Sequence, residues 1–382
     1  MKVLCVFGTR PEAIKMAPVV KELKKHRDRI APVVCVTAQH RRMLDQVLEL
    51  FGIEPDYDLN LMQPDQTLSA LTAGALTSLD SVLQKEKPDW VLTQGDTTTA
   101  MVASLAAFYH RIKVGHIEAG LRTGDRFQPF PEEINRRIAD CVCDLHFAPT
   151  ESARLNLLGE GVSDATILVT GNTVIDALLD VAERPYDWHS GPLAVVPQNK
   201  RLILVTAHRR ENFGGPLEQI CDALNEIAAR YPDTQLVYPV HLNPNVQRAA
   251  LGKLSRTPNI TLLEPVDYLP LVQLLKRSHL VLTDSGGLQE EAPGLGKPVL
   301  VLREVTERPE GVEAGTVKLV GTDPQKIVSE TIRLMEDREE YESMSRAVNP
   351  YGDGHASERI VARLIAGDIK VSDNSQAGRG VE

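Results

Sequence analysis

Short apolar runs alternate with stretches of helical spacing along almost the whole chain. The runs predicted as strands in the first half are 2–7, 33–37, 90–93, 114–118 and 145–148. The predicted strands of the second half are 201–206, 235–239, 260–263, 280–283 and 299–302. Between them, apolar residues recur at intervals of three and four, as in the helix predicted over 217–230. This alternation is typical of an α/β protein with parallel sheets.

The two halves of the sequence resemble each other in two further ways. Each half opens with a strand that runs into an arginine-bearing turn, at 7–10 and 207–210. Each later has a Val-Leu-Thr strand end followed by small polar residues, at 91–97 and 281–287. Ligands of open parallel sheets bind beyond the carboxyl ends of the strands, where all four segments would lie. We therefore predict two Rossmann-like parallel-sheet domains facing a cleft, since 382 residues exceed the usual size of one core.

A segment with three prolines and little periodicity, residues 183–199, is the predicted linker between these domains. The N-terminal Rossmann-like domain then covers 1–182, and the second Rossmann-like domain covers 200–354. The last residues, 371–382, are polar and contain glycine, so we expect a disordered tail there.

Composition narrows the range of partners. The net charge of −10 at pH 7 disfavours nucleic acid and acidic membranes, although it permits a small anionic ligand. No apolar run approaches the roughly 20 residues that span a bilayer, and no room for a signal peptide precedes the first strand, so we expect a cytoplasmic protein. The five cysteines are scattered and odd in number, which argues against a disulfide framework. Cys141 and Cys143 lack a second pair of ligands, so no metal site is predicted.

The segment Ser285-Gly286-Gly287 lies between a predicted strand and a predicted helix. Glycine lets the backbone approach a ligand closely, and free N–H groups at a helix start point towards a phosphate, so we predict an anion site. A plain strand-to-helix turn would explain the glycines as well. In the first arginine-bearing turn, Arg10 and Lys15 suit phosphate oxygens, although surface charge is the better explanation for Lys15 taken alone.

No nicotinamide cofactor is predicted, because the turn after the first strand lacks G-x-G-x-x-G and the chain has no Walker lysine loop. Glu291 lies a turn and a half into the helix after the glycines. It could accept hydrogen bonds from both hydroxyls of a ribose, or it could be a solvated helix residue. His241, at another predicted strand end, is better explained by ordering its own loop.

Four polar residues lie at strand ends rather than on helix surfaces: Asp96, Glu118, Glu132 and His208. An acid directly after an apolar strand is costly to bury unless it is paired or functional. Taken singly, the acids could cap helices or pair with Arg122 or Arg136. Three acids and a histidine facing a phosphate site nevertheless favour catalysis, because perturbed acids cluster at functional sites.

Of these four residues, all but Glu132 fall within a series of six motifs: FGTRPEA at 7–13, GDTTT at 95–99, HIEAGLRT at 116–123, TGNT at 170–173, HRREN at 208–212 and DSGGLQEE at 284–291. In this order they closely resemble the non-hydrolysing bacterial UDP-N-acetylglucosamine 2-epimerases. The motifs TERPE at 306–310 and NPYGDG at 349–354 extend the resemblance, which covers about residues 1–365.

The resemblance implies a GT-B arrangement, a homodimer, and a C-terminal helix at 355–370 that returns to the first domain. It also implies the reaction, in which the C1–oxygen bond of UDP-N-acetylglucosamine breaks and the C2 proton is removed. UDP then adds back to the resulting 2-acetamidoglucal after a proton has returned from the opposite face, which gives UDP-N-acetylmannosamine. UDP-N-acetylglucosamine and UDP are the expected partners, and no cofactor is expected.

The resemblance also implies roles for single residues. Arg10, His208, Arg308 and the amides of 285–287 match the family's phosphate binders, which would hold the departing UDP. Asp96, Glu118, Glu132 and His208 match the family's catalytic groups, with no assignment of an acid to either face of C2. Glu291 matches the ribose-binding acid.

The sequence departs from the family pattern in two places. Val266 and Leu271 stand where some members have glutamine and phenylalanine near the uracil, so an aromatic stack is lost. Some members are activated by a second UDP-N-acetylglucosamine, in a region that corresponds here to Gln39, Arg42, Asp65 and His241. Gln39 and His241 fit such an allosteric site, whereas Asp65 replaces an arginine and would repel a diphosphate.

Three other functions share much of this sequence pattern. A hydrolysing epimerase would release free N-acetylmannosamine and UDP. A GT-B glycosyltransferase would need an acceptor and would not exchange the C2 hydrogen. A UDP-sugar sensor would bind without turnover, but three acids at strand ends exceed what binding requires.

Overall fold

The computed structural model describes residues 1–37, 41–62 and 66–367, without the side chains of residues 41 and 42. The strands of the first half are β1 (Lys2–Phe7), β2 (Ala31–Val36), β3 (Tyr57–Asp58), β4 (Trp90–Gln94), β5 (Lys113–Ile117), β6 (Leu145–Ala148) and β7 (Ile167–Val169). They form one sheet in the order β3-β2-β1-β4-β5-β6-β7.

The second half forms a separate sheet. Its strands are β8 (Arg201–Thr206), β9 (Thr234–Pro239), β10 (Ile260–Leu263), β11 (Leu280–Thr283), β12 (Val299–Val301) and β13 (Val317–Leu319). Their order is β10-β9-β8-β11-β12-β13, and the neighbouring strands pair in parallel in both sheets. The predicted fold class, two parallel-sheet α/β domains, is confirmed.

Helices connect successive strands in both halves. Those of the first half are α1 (Arg10–Lys25), α2 (Arg41–Phe51), α3 (Leu68–Glu86), α4 (Thr98–Tyr109), α5 (Glu132–Val142), α6 (Glu151–Gly159) and α7 (Thr173–Ala182). Those of the second half are α8 (Gly215–Arg230), α9 (Pro244–Leu254), α10 (Tyr268–Arg277), α11 (Gly286–Gly294), α12 (Pro309–Glu313), α13 (Pro324–Glu336), α14 (Arg338–Arg346) and α15 (Ala356–Ile365).

The central strands are apolar over most of their length because both of their faces are covered. In β1, Val3, Cys5 and Phe7 belong to the core shared with α1 and α7, while Leu4 and Val6 belong to the core under α3 and α4. A strand buried on both faces has no alternation of polar and apolar residues. Such continuous runs are what made the central strands predictable.

The two domains contact each other through α7, which packs on α10 and α11. Helix α15 then returns to the first domain and packs on α1 and α7. Its N-terminus is fixed by Asp176, whose carboxylate accepts hydrogen bonds from the backbone N–H of Ser357 (2.7 Å) and Ala356 (3.2 Å). The predicted domain boundaries remain a prediction, and the predicted tail, 371–382, lies outside the described residues. None of the described helices combines the length and apolar character that a membrane span requires.

Candidate active site

The candidate site lies where the strand order of each sheet reverses. Strands β1 and β4 are neighbours at this point in the first sheet, and β8 and β11 are neighbours in the second. Such points leave a crevice at the carboxyl ends of the strands. Arg10 and Asp96 come directly after β1 and β4, while His208 and Ser285 come directly after β8 and β11. The sequence therefore places its candidate residues at both crevices.

A buried carboxylate joins the two turns of the first crevice. Glu12 Oε2 accepts hydrogen bonds from the backbone N–H of Gly8 (3.0 Å) and of Thr9 (2.7 Å). Its Oε1 accepts a hydrogen bond from the hydroxyl of Thr97 at 2.6 Å. The arginine-bearing turn is thereby fixed to the turn that contains Asp96.

Glu118 follows β5 with a φ of 68°, in the left-handed region that non-glycine residues rarely occupy. Its buried carboxylate accepts hydrogen bonds from Lys15 Nζ and from Gln94 Nε2, the latter at 2.9 Å. Burial raises the pKa of Glu118, but Lys15 and Arg308 more than offset this effect and hold the pKa below its ordinary value. Glu118 is therefore ionised at neutral pH, and Lys15 is its partly buried partner rather than an isolated surface charge.

One amide side chain connects Glu118 to the second domain. Asn172 Nδ2 lies 2.8 Å from Glu290 Oε2 and 3.4 Å from Glu118 Oε2. Glu290 also forms a buried ion pair with Arg308, and its backbone carbonyl accepts a hydrogen bond from Asn349 Nδ2 at 3.1 Å. A catalytic candidate of the first sheet and a phosphate-binding candidate of the second domain thus belong to one hydrogen-bonded network.

The other two acids are associated with helix α5. Asp96 accepts hydrogen bonds from Arg136 Nη2 (2.6 Å) and Nε (3.0 Å), and its carbonyl accepts one from Asn135 Nδ2 at 2.9 Å. The expected alternative of an ion pair with Arg136 is therefore real for Asp96, whereas the N-cap of α4 is Thr97. Glu132 is the first residue of α5, and its buried Oε2 has no hydrogen-bond partner among the described residues. This oxygen can therefore accept a hydrogen bond.

Helix α11 begins at the predicted anion site. Ser285 is its N-cap and Gly286 and Gly287 are its first two residues, so their amides lie at the positive end of the helix dipole. A Cβ added at Gly286 would lie 3.5 Å from Arg209 Nη2, and one at Gly287 would lie 3.4 Å from Glu291 Oε1. Because these are ordinary contacts, internal packing does not require glycine. Close approach of a ligand explains the glycines better than a plain turn does.

His208 lies beside a fully buried carboxylate that precedes this helix. Asp284 Oδ2 accepts hydrogen bonds from the backbone N–H of His208 and Arg209, both at 2.8 Å, and from Asn212 Nδ2 at 3.0 Å. His208 Nδ1 is 3.6 Å from Asp284 Oδ1. Burial lowers the pKa of His208, so its ring is neutral at pH 7. The ring stacks on that of His241, with the ring centroids 5.4 Å apart.

The described residues include only part of the predicted allosteric region. His241 contacts His208 rather than ordering its loop alone. Gln39, Asp65 and the side chain of Arg42 lie outside the described residues, so the allosteric site stays a prediction.

Glu291 is buried in α11, where its Oε2 accepts a hydrogen bond from the Tyr268 hydroxyl at 2.9 Å. Burial, only partly opposed by this hydrogen bond, raises the pKa of Glu291 to about 7. The alternative of a solvated helix glutamate is therefore wrong. Tyr268 and Arg10 also line a cavity of about 480 Å³ between α2, residues 186–192 and the start of α10.

Sequence reasoning missed three residues whose hydrogen bonds organise the candidate site. Glu290 and Asn172 lie inside quoted motifs, but each has an ordinary local explanation, as a helix residue and as the N-cap of α7. Glu12 has one too, since it completes a capping box. Only the position of these residues within the quoted motifs could have identified them from the sequence. Within the described residues, no group of three or more histidine, cysteine or acidic side chains could hold a metal ion.

The chain is similar over almost its whole length to proteins of known name. Residues 21–365 match the family model described as UDP-N-acetylglucosamine 2-epimerase. A Salmonella typhimurium protein of that name is 57% identical over 370 residues, which cover 95% of this chain and 98% of that protein.

Two solved structures are also similar. The UDP-GlcNAc 2-epimerase of Neisseria meningitidis bound to UDP-GlcNAc matches with a TM-score of 0.85 and 52% identity, over 96% of this chain and 100% of that one. The Methanocaldococcus jannaschii enzyme in complex with UDP-GlcNAc and UDP matches with a TM-score of 0.78 and 36% identity, over 96% and 100% of the two chains.

The raised pKa of Glu291 predicts a pH-dependent gain in stability for Glu291→Gln. Burial disfavours the charged carboxyl, so the folded wild type loses stability as pH rises from the unfolded value of about 4.5 towards 7. The glutamine of the variant can still accept the Tyr268 hydrogen bond and does not ionise. We expect the variant's advantage in unfolding free energy to grow by about 3 kcal/mol between pH 4.5 and 8, measured by urea unfolding. A pH-independent difference would contradict the buried ionisation.

Proposed function

We propose a mechanism for this chain, which belongs to the UDP-N-acetylglucosamine 2-epimerase family and is an isomerase. The reaction is the reversible inversion of C2 that converts UDP-N-acetylglucosamine (UDP-GlcNAc) to UDP-N-acetylmannosamine. The observation that supports the mechanism is the network from Glu118 through Asn172 and Glu290 to Arg308, because it links a candidate acid of one domain to a candidate phosphate-binding arginine of the other.

The first step is elimination of UDP. As a base removes the C2 proton, the C2–H electron pair becomes the C1–C2 double bond of 2-acetamidoglucal, and the C1–oxygen pair leaves with UDP. Arg308, Arg10 and the amides at the start of α11 would stabilise the diphosphate. His208, whose pKa is lowered by burial, would gain a proton more easily once a diphosphate lies beside it, because an anion favours the charged imidazole.

The acids act on the sugar. Glu118, ionised beside Lys15, can accept a proton or stabilise positive charge that develops at C1. Asp96 is held by Arg136, and Glu132 offers an oxygen without a partner among the described residues, so both are available for the second proton transfer. Return of a proton to the opposite face, followed by addition of UDP to C1, completes the inversion.

The nucleoside end would occupy the cleft cavity next to Tyr268. Its volume of about 480 Å³ is within the range of small-molecule sites. Glu291 would accept hydrogen bonds from the ribose hydroxyls once it is ionised. Val266 and Leu271, both partly buried against the core, offer no aromatic ring for the uracil, so backbone groups would recognise it.

The mechanism predicts solvent exchange at C2 without an acceptor. After incubation of UDP-GlcNAc with the protein in heavy water, mass spectrometry should find one deuterium in both UDP-sugars. Conversion without deuterium would contradict proton removal, and no conversion at all would indicate a transferase or a sensor. Free N-acetylmannosamine in stoichiometric yield would indicate a hydrolysing epimerase instead.

Substitutions of the candidate acids should lower turnover without weakening the binding of UDP. Asp96→Asn and Glu118→Gln are expected to lower kcat by about 100-fold or more, because each removes a charged acid or base. Calorimetry should find the UDP dissociation constant within about threefold of wild type, since UDP is held mainly by the second domain. Glu151→Gln is the matched control, because Glu151 also follows a strand of the first sheet but is exposed. Wild-type kcat in either variant would remove that acid from the mechanism.

We also propose that the chain forms a homodimer, as its resemblance to the family implies. Apolar Ile134 and Ile138 lie one turn apart on α5 and are exposed to 37% and 36%. Two copies covering such side chains would remove them from water.

A dimer predicts a mass in sedimentation of about twice the chain mass of 42.1 kDa. Ile138→Glu should weaken the dimer, because it would bury an unpaired charge. Leu251→Glu, at an exposed position of α9 in the second domain, is the control. A wild-type monomer would contradict the proposal, and an unaffected Ile138→Glu dimer would place the interface elsewhere.

A further inference from the structure

His116 in β5 is completely buried, and each of its ring nitrogens faces an acceptor. Nδ1 lies 2.6 Å from Asp140 Oδ1, and Nε2 lies 2.7 Å from the carbonyl oxygen of Gly95. A neutral imidazole has only one N–H, so its other nitrogen would direct a lone pair at an oxygen. Only the imidazolium satisfies both contacts with hydrogen bonds.

The surrounding charges fit this assignment. Asp140 Oδ2 accepts hydrogen bonds from Arg122 Nη2 (2.7 Å) and from the backbone N–H of Gly120 (3.3 Å). Burial alone would raise the pKa of Asp140, but His116 and Arg122 lower it to about 2. Glu160 pairs with Arg122 on its outer side at 2.7 Å. The buried side chains of His116, Asp140 and Arg122, together with the exposed Glu160, thus balance two cations against two carboxylates.

The neighbouring His146 differs from His116 in its hydrogen bonds and in its protonation state. His146 pairs with His116 in the register of β5 and β6 and is also buried. Its Nε2 contacts the backbone carbonyl of Asp140 at 2.9 Å, but its Nδ1 has no hydrogen-bond partner among the described residues. Burial lowers the pKa of His146, so it is neutral.

His116 is connected to the backbone segments that position all three candidate acids. Its Nε2 holds Gly95, the residue before Asp96, and the N–H of Gly95 is bonded to the carbonyl of Ile117 at 3.0 Å. Glu118 follows His116 by two residues on the same strand end. Through Asp140, His116 also holds α5, the helix that begins with Glu132 and carries Arg136.

We propose that His116 is a permanently protonated positioning residue that holds Asp96, Glu118 and Glu132 in one arrangement. The proposal rests on the proposed function only in taking these three acids as catalytic. Its charge never enters the reaction, because both N–H groups are committed to the protein. Displacement of catalytic groups by about 1 Å can cost about 100-fold in rate.

The first test is His116→Gln, whose single amide cannot donate in both directions. We expect kcat to fall by about 30- to 100-fold, with the UDP dissociation constant within about threefold of wild type. His146→Gln, the matched control, should keep kcat within about threefold. If His116→Gln has wild-type kcat, or if His146→Gln loses as much as His116→Gln, the positioning role is wrong.

The second test needs no variant, so it holds even if His116→Gln does not fold. In nitrogen-15 NMR of the histidine-labelled wild-type protein, both ring nitrogens of His116 should have protonated-type shifts from pH 6 to pH 9. A ring that titrates in this range, or that has one unprotonated nitrogen at pH 8, overturns the proposal. This result is independent of the heavy-water assay, so failure of the proposed reaction remains distinguishable from failure of this inference.

Discussion

The site depends on one buried chain of charge-assisted hydrogen bonds that crosses between the two domains, from Lys15 and Glu118 through Asn172 to Glu290 and Arg308. Buried charges are tolerable only when they are paired, so each member of this chain needs its neighbour. The pairing also brings an acid from the end of β5 next to an arginine from the loop before α12. Neither domain alone contains all the residues of the candidate site.

The presence or absence of a paired cation also gives the buried carboxyl groups of Glu118 and Glu291 different pKa values. Where a carboxylate has a cation beside it, as Glu118 has Lys15, it is kept ionised despite burial. Glu291, whose direct partner is a tyrosine hydroxyl, has its pKa raised to about 7. The acid proposed to move a proton, Glu118, and the acid proposed to recognise hydroxyls, Glu291, therefore have different surroundings within one cleft.

The sequence predicts the inner strands well because burial on both faces produces a nearly continuous apolar run; β1, β6, β8 and β11 match their predicted bounds, as does the four-residue edge strand β10. The other edge strands, β3, β7 and β13, were not predicted, since two or three residues are too few to show a pattern. The predicted strand ends were also enough to select Asp96, Glu118 and His208 as candidates, whose catalytic roles stay a prediction. The pairing of Asn172 with Glu290 was beyond sequence reasoning, because it joins residues 118 positions apart across a domain contact.

The return of α15 to the first domain has a mechanical consequence. The polypeptide passes to the second domain just after α7 ends and comes back near the start of α7, where the N–H of Asn172 bonds to the carbonyl of Tyr351 at 2.6 Å. The two passages are therefore separated by about the length of this ten-residue helix, roughly 15 Å. Because both connections lie at the ends of α7, a rotation of one domain relative to the other about an axis along α7 would stretch them least.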